Sequence, residues 1–476
     1  MLIFLQKTEQ KNKHFRQKTR TLNENHYAIM TISKNKSIKE ERMKKLIATS
    51  LVLSLVGLTA CSTQNTDVKA TGEGTQATSN ENVQVLQMMS VGGADAQAWM
   101  DLVEDTIDKF NDNNEYNVKI EMTWYENEQY KTKFATLMTQ NNMADIFSTW
   151  EYGFLEPYVK AGKVYDMTDA LAADTEWKSR FDENVFIPTT FDGHIYGIPS
   201  GRQMAPIYYN KQLFEDYKLD VPETWDEFIN VIRTFKKDGI VPIVMASQDP
   251  WVIAQFFLDI TGGVGGMDLF KGIQTGDVMW DDPRYIKSGE LLQQLVDESA
   301  FPESFSGLAY EEGTPMFTSG KAAMYPMGTW MTSSIIEGMD ADNVGVFLPP
   351  AYDPENSKTH LSQVSKVWGI SENCKNKEAA MAFLKMFSED AMQEKIVTEI
   401  GILPATNYKV DISKTDPVTA AIIDLADGIE PLTPFDVLFG TNIGVEFNNV
   451  SLAIATGKDP ADQFKQLQEY AESQKE

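Results

Sequence analysis

From Val83 onward the apolar residues switch between a two-residue and a three-to-four-residue period, and this restricts the fold more than any other feature of the chain. Val83-Gln84-Val85-Leu86 reads as an opening strand, and Val118, Ile120 and Met122 alternate as a strand does. Between them Trp99, Leu102, Val103, Ile107 and Phe110 share one helix face, and Tyr130, Phe134, Leu137 and Met138 stripe the next helix. Strand–helix–strand–helix order predicts an α/β architecture with largely parallel pairing, since a parallel strand needs a crossover. At 476 residues the chain exceeds one ordinary domain, so two or more lobes are expected. Two later helices are marked by their ends. Thr224-Trp225-Asp226-Glu227 spells a capping box ahead of Phe228, Val231, Ile232 and Phe235, with Gly239 as the stop. Ala380, Phe383, Leu384 and Phe387 stripe a helix that follows Lys377-Glu378. The glycine-rich run 261–266 lacks the Lys-Ser/Thr of a phosphate loop and reads as a plain loop.

The N-terminus has a different texture. Met43-Lys44-Lys45 precedes the apolar run 46–60, LIATSLVLSLVGLTA, which ends at Cys61. A basic start, an apolar core and small residues before the cut describe a secretory signal. The run falls short of the roughly twenty apolar residues that span a membrane. Leu58-Thr59-Ala60-Cys61 resembles the lipobox of bacterial lipoproteins, which implies cleavage before Cys61 and acylation of its thiol. Residues 1–42 are polar and basic and read as an extension ahead of a true start at Met43. The stretch 61–82, rich in Ser, Thr, Asn, Gln and Gly, reads as a flexible tether because it has too little apolar surface to fold.

Charge and the scarce residue types then narrow the chemistry. Residues 1–60 hold twelve Lys and Arg against four Asp and Glu; without them 30 basic residues face 65 acidic ones. So acidic a surface repels phosphate backbones, which excludes nucleic acid as partner. Only His194 and His360 lie beyond the signal, and Cys374 is the one cysteine besides Cys61. Neither a His- or Cys-based metal site nor a nucleophile–His–acid triad is expected, and no cofactor is called for. Phe191-Asp192-Gly193-His194 has the Asp-Gly of a hairpin turn, and His360 reads as part of a polar loop. Cys374 reads as a buried small residue near a helix start. No carboxylate pair stands out for glycoside hydrolysis.

The nine tryptophans carry more information. A pyranose offers C–H patches on its faces and hydroxyls at its rim, so its site needs flat aromatic platforms beside polar side chains. Four tryptophans lie in such segments: Trp124 before Glu126 and Asn127, Trp150 before Glu151, Trp251 after Asp249, and Trp330 after Thr329. Trp99 and Trp225 fit helix faces and read as core.

The order and spacing of four blocks resemble extracellular solute-binding protein family 1, which includes maltose-binding protein. They are Met143-Ala144-Asp145-Ile146-Phe147-Ser148-Thr149-Trp150 with Leu155-Glu156-Pro157-Tyr158-Val159; Tyr196-Gly197-Ile198-Pro199 leading to Pro222-Glu223-Thr224-Trp225; Ser319-Gly320-Lys321-Ala322-Ala323-Met324 with Gly328-Thr329-Trp330; and Gly369-Ile370-Ser371 leading to Gly401-Ile402-Leu403-Pro404. The resemblance implies a periplasmic-binding-protein-like fold of two α/β lobes with ligand between them. The first lobe would be 83–199 plus 366–412 and the second 200–365 plus 413–476, with hinges near 199–201, 364–369 and 409–414. It implies ligand-facing roles for Trp150, Glu151 and Glu126 from the first lobe, Gln203 and Arg202 beside the hinge, and Trp251 and Trp330 from the second. The loop 90–93 also lies where the family touches ligand, but lacks the charged residues of maltose-binding protein. The implied function is a non-enzymatic, monomeric binding lipoprotein of an ABC importer, anchored in the cell membrane on its extracytoplasmic face through acylated Cys61. It would deliver a carbohydrate, an oligosaccharide, to the permease, and the Ser148-Thr149-Trp150 block resembles the raffinose- and oligosaccharide-binding branch of the family. The alternatives are the same fold binding a polyol phosphate or polyamine, or a secreted glycosidase.

Overall fold

The computed structural model describes residues 83–474. The proposed extension, signal, lipidated Cys61 and tether lie outside the described residues. The chain opens β1 (Gln84–Val91), α1 (Gln97–Asp112), β2 (Val118–Tyr125), α2 (Asn127–Thr139), β3 (Ile146–Thr149) and α3 (Tyr152–Lys160). β1 pairs in parallel with both β2 and β3. A short hairpin, β4 (Thr190–Phe191) and β5 (His194–Ile195), turns on Asp192 and Gly193 at φ 51° and 84°. That is the left-handed pair which Asp-Gly accommodates.

Next come β6 (Ile198–Met204), β7 (Ile207–Asn210), α4 (Trp225–Lys237), β8 (Val241–Ile243), α5 (Trp251–Thr275), β9 (Ala322–Pro326) and β10 (Val344–Phe347). β7, β8, β9 and β10 form a second sheet in the order β10-β7-β9-β8, of which only β8–β9 is parallel. The expectation of largely parallel pairing therefore holds for β1, β2 and β3 and not for this sheet. The long β11 (Thr359–Ile370) returns antiparallel to both β3 and β6. The rest of the chain supplies α6 (Lys377–Met386), β12 (Leu403–Pro404), β13 (Glu430–Leu432) and α7 (Ile443–Ala455).

Two apolar cores flank these sheets. One draws on Leu86 through Ile198 and Val364 through Ala405, while Met89, Tyr130, Phe134 and Phe147 fill the opposite face of the first sheet. Adjacent residues go to opposite faces, as Ile146 and Phe147 do, so this sheet is covered on both sides as parallel sheets are. The second core runs from Met204 to Leu361 and resumes at Val418 through Ala471. The result is a fold of two α/β lobes with a cleft between them. The capping box is formed: Thr224 Oγ1 accepts from the Glu227 amide, and Glu227 Oε2 accepts from the Thr224 amide.

Two sequence expectations are corrected. The glycine run 261–266 is not a loop but lies inside α5, broken only at Gly266, where φ 59° kinks the helix. Its small residues allow close approach, since a Cβ on Gly262 would come within 2.9 Å of the Thr359 carbonyl oxygen. His360 is not in a polar loop: it sits buried in β11, its Nδ1 3.6 Å from Asp259. Cys374 is buried three residues before α6, and burial pushes its thiol up to about 11. No helix among the described residues is long and apolar enough to cross a membrane.

Candidate functional site: a cleft between the lobes

A cavity of about 450 Å³ opens between the two cores. Its first wall begins where β3 ends. The chain leaves the sheet at Trp150, half-buried and propped edge-on by Tyr130 and Phe154, with ring centroids 6.1 and 4.9 Å away. Glu151 follows, 1% exposed. Tyr152 then holds φ 47°, which costs a bulky residue about 1 kcal/mol or more, so packing must enforce this corner. Glu151 Oε1 has no protein partner. Burial raises its pKa to about 8, and the nearby charge of Asp436 adds to the shift. The shift favours the protonated carboxyl, which can both donate and accept.

The loop that starts α2 supplies exposed Glu126 at the rim, and Asn127, whose buried Oδ1 also lacks a protein partner. Residues 90–92 complete this side. At the junction of the lobes Gln203 of β6 lies in register with Gln363 of β11. Gln203 Oε1 accepts from Ser365 Oγ at 2.6 Å, while the buried Gln363 Oε1 has no protein partner. Lys366 holds φ 52° within β11, a bend at the crossing.

The opposite wall is aromatic. Trp251 opens α5, at the start of the helix. Its ring packs on Tyr310 at 5.1 Å and Trp330 at 6.4 Å, and Trp330 Nε1 donates to the Tyr310 hydroxyl at 2.9 Å. The Trp251 indole N–H is buried without a protein partner.

The cavity thus brings together Trp150, Glu151, Gln203, Trp251, Trp330 and Glu126. Arg202 does not line it. Strand residues alternate in direction, and next to inward Gln203 the Arg202 Nε donates to the Pro404 carbonyl at 3.0 Å instead. Trp124 is also absent, its Nε1 donating to Glu104 at 2.7 Å. Conversely Trp99, read as core from its helix face, is buried on Trp368 and still lines the cavity. Lys131, Gln363 and Asp436, which also line the cavity, were not singled out from sequence. Asn127 was legible as the neighbour of Glu126, but nothing local marked Asp436. Six carboxyl residues (Glu126, Glu128, Glu151, Asp249, Glu311, Asp436) and two lysines (Lys131, Lys366) face the cavity. Among the described residues no cluster of three or more His, Cys, Asp or Glu is placed to hold a metal.

Two sheeted lobes enclosing a polar and aromatic cleft define a solute-binding protein. Residues 92–394 match the family model for bacterial extracellular solute-binding proteins, and the chain belongs to that family. A multiple sugar-binding protein of Streptococcus mutans is 23% identical over 270 residues, 55% of this chain and 63% of its own length. An uncharacterised ABC transporter extracellular-binding protein of Pyrococcus horikoshii is 26% identical over 278 residues, 57% of this chain and 63% of its own. The chain thus spans less than two thirds of these relatives' length. A structure from work on xylan utilisation by Caldanaerobius polysaccharolyticus is 27% identical with a TM-score of 0.75, covering 81% of this chain and 99% of that one. A chitin oligosaccharide binding protein, 24% identical, superposes with a TM-score of 0.76 over 82% of this chain and 98% of its own, and shares the fold.

Proposed function

We propose that the protein captures a carbohydrate, an oligosaccharide, between its lobes and delivers it unaltered to the permease of an ABC importer. It does so as a monomer anchored outside the cell membrane by a lipid on Cys61. The observation that carries the reading is the pairing of indoles with unsatisfied acceptors. Asn127 Oδ1, Glu151 Oε1 and Gln363 Oε1 are buried at the cavity without protein partners, beside Trp150, Trp251 and Trp330. Leaving such groups unpaired costs about 1–3 kcal/mol each, which a ligand rich in hydroxyl donors would recover. The C–H faces of its rings would lie on the indoles. Trp150 stands on one lobe and Trp251 and Trp330 on the other, so a ligand touching both favours closure about the strand crossing near Lys366, the proposed hinge. The sugar-named Streptococcus mutans relative and the xylan-utilisation structure support a carbohydrate as the solute.

A second reading, a polyamine, is favoured by the five carboxyl residues other than Glu151 against two lysines; the same balance disfavours a polyol phosphate. Calorimetric titration of the purified protein with xylo-oligosaccharides, chitin oligosaccharides, raffinose and spermidine separates these. Saturable heat with a sugar, and the same sugar recovered intact by chromatography, is the expected result. Binding of spermidine alone, or cleavage of the sugar, overturns it. Mass spectrometry of the membrane-bound protein should find an acylated Cys61, and Cys61→Ala should release the protein from the membrane.

A further inference from the structure

Lys131 projects from α2 in the first lobe. Its Nζ lies 5.5 Å from the ring centroid of Trp150 and 6.0 Å from that of Trp251 in the second lobe. Both distances fall within cation–π range. The centroids of the two indoles are therefore no farther apart than these two legs together. The ammonium is also paired with Glu128 Oε1 at 2.8 Å on its own helix, and Asp249 of the opposite lobe is near enough to feel its charge.

We propose that the Lys131 ammonium is a resident occupant of the ligand slot, holding the place between Trp150 and Trp251 that a sugar ring takes on binding. The inference rests on the carbohydrate reading of the same cleft. Two consequences follow from the geometry. Without ligand the ammonium ties the lobes together, because its two aromatic partners belong to different lobes. With ligand it is a competitor: an arriving ring must displace it from both indoles. Displacement does not strand the charge, since the Glu128 carboxylate already holds it. A contact that stabilises only the ligand-free closed form lowers apparent affinity, so removing it tightens binding.

The test compares K131M, which keeps the stem and loses the charge, with K131R, which keeps a cation over the rings. Each is measured by small-angle scattering without ligand and by calorimetry with whichever panel sugar binds the wild type. K131M should be more extended without ligand and bind the sugar about three- to tenfold tighter, the worth of the lost aromatic contacts. K131R should stay near wild type in both. Weaker sugar binding by K131M would mean that the ammonium donates to the bound sugar, and unchanged affinity or unchanged scattering would mean that it holds nothing together; each rejects the proposal. If no sugar binds the wild type, the carbohydrate reading fails, while scattering still decides whether Lys131 ties the lobes.

Discussion

Gly153 and Gly440 meet backbone to backbone at the edge of the cleft: a Cβ on Gly440 would lie 2.4 Å from the Gly153 carbonyl oxygen. One on Gly153 would fall 2.6 Å from the Leu438 carbonyl oxygen and 2.8 Å from the Gly440 nitrogen. Gly153 belongs to α3, against the first sheet; Phe435 and Val437, just before Gly440, are buried with the second core or beside the cavity. The lobes touch where neither has a side chain to yield.

Gly153→Ala should therefore prop the cleft open. Gly440 also holds φ 73°, so changing it would mix steric and backbone effects, and Gly153 is the cleaner site. A cost of about 1.4 kcal/mol confined to the closed form weakens binding about tenfold. Calorimetry should show at least that loss with the melting temperature little changed. Unaltered affinity would mean that the contact plays no part in closure.

Trp150→Ala and Trp330→Ala should each weaken sugar binding about 10- to 100-fold, the behaviour of aromatic anchors at the centre of a site. Trp330→Phe should retain part of the stacking while losing the bond to the Tyr310 hydroxyl. Circular dichroism guards against unfolding. Affinity unchanged in both alanine variants would remove the aromatic slot from consideration.

Glu151 predicts a pH-dependent stability. Burial raises its pKa from 4.5 to about 8 in the folded chain, so folding favours the protonated form. This contribution is intact below about pH 4.5 and is lost as pH rises through about 8, a span on the order of a few kcal/mol. Glu151→Gln is neutral throughout. Its melting temperature, compared with wild type, should improve steadily from pH 5 to pH 8.5. A gap independent of pH would show that Glu151 does not titrate in this window.

Thr224→Ala removes a helix cap in the second lobe, away from the cavity. It should cost about 1 kcal/mol, seen as a melting temperature lower by about 2 °C, with ligand affinity unchanged. A change in affinity would indicate that α4 communicates with the cleft.

Much of this molecule is local enough to read along the chain. The capping box at Thr224, the Asp192-Gly193 turn and the stripes of α1 and α2 depend on neighbours within a few residues, and all appear where their spacing places them. The tryptophan segments at Trp150, Trp251 and Trp330 carry their polar company in sequence, and they line the cavity. The glycine run 261–266 misled because glycine reports permissive backbone, while its use inside α5 is to let Thr359 and Leu432 come close. Arg202 and Gln203 are equally polar neighbours; only the pleat of β6 decides which one faces the cavity.

The sequence alone determined the α/β alternation, the family and the aromatic character of the site, because each resides in residue type and short spacing. Tertiary structure alone decided that Asp436 stands beside Glu151, that Lys131 lies between indoles of different lobes, and that Gly153 meets Gly440. These pairs are far apart along the chain, and no local pattern encodes a distance that only the packing of two lobes creates.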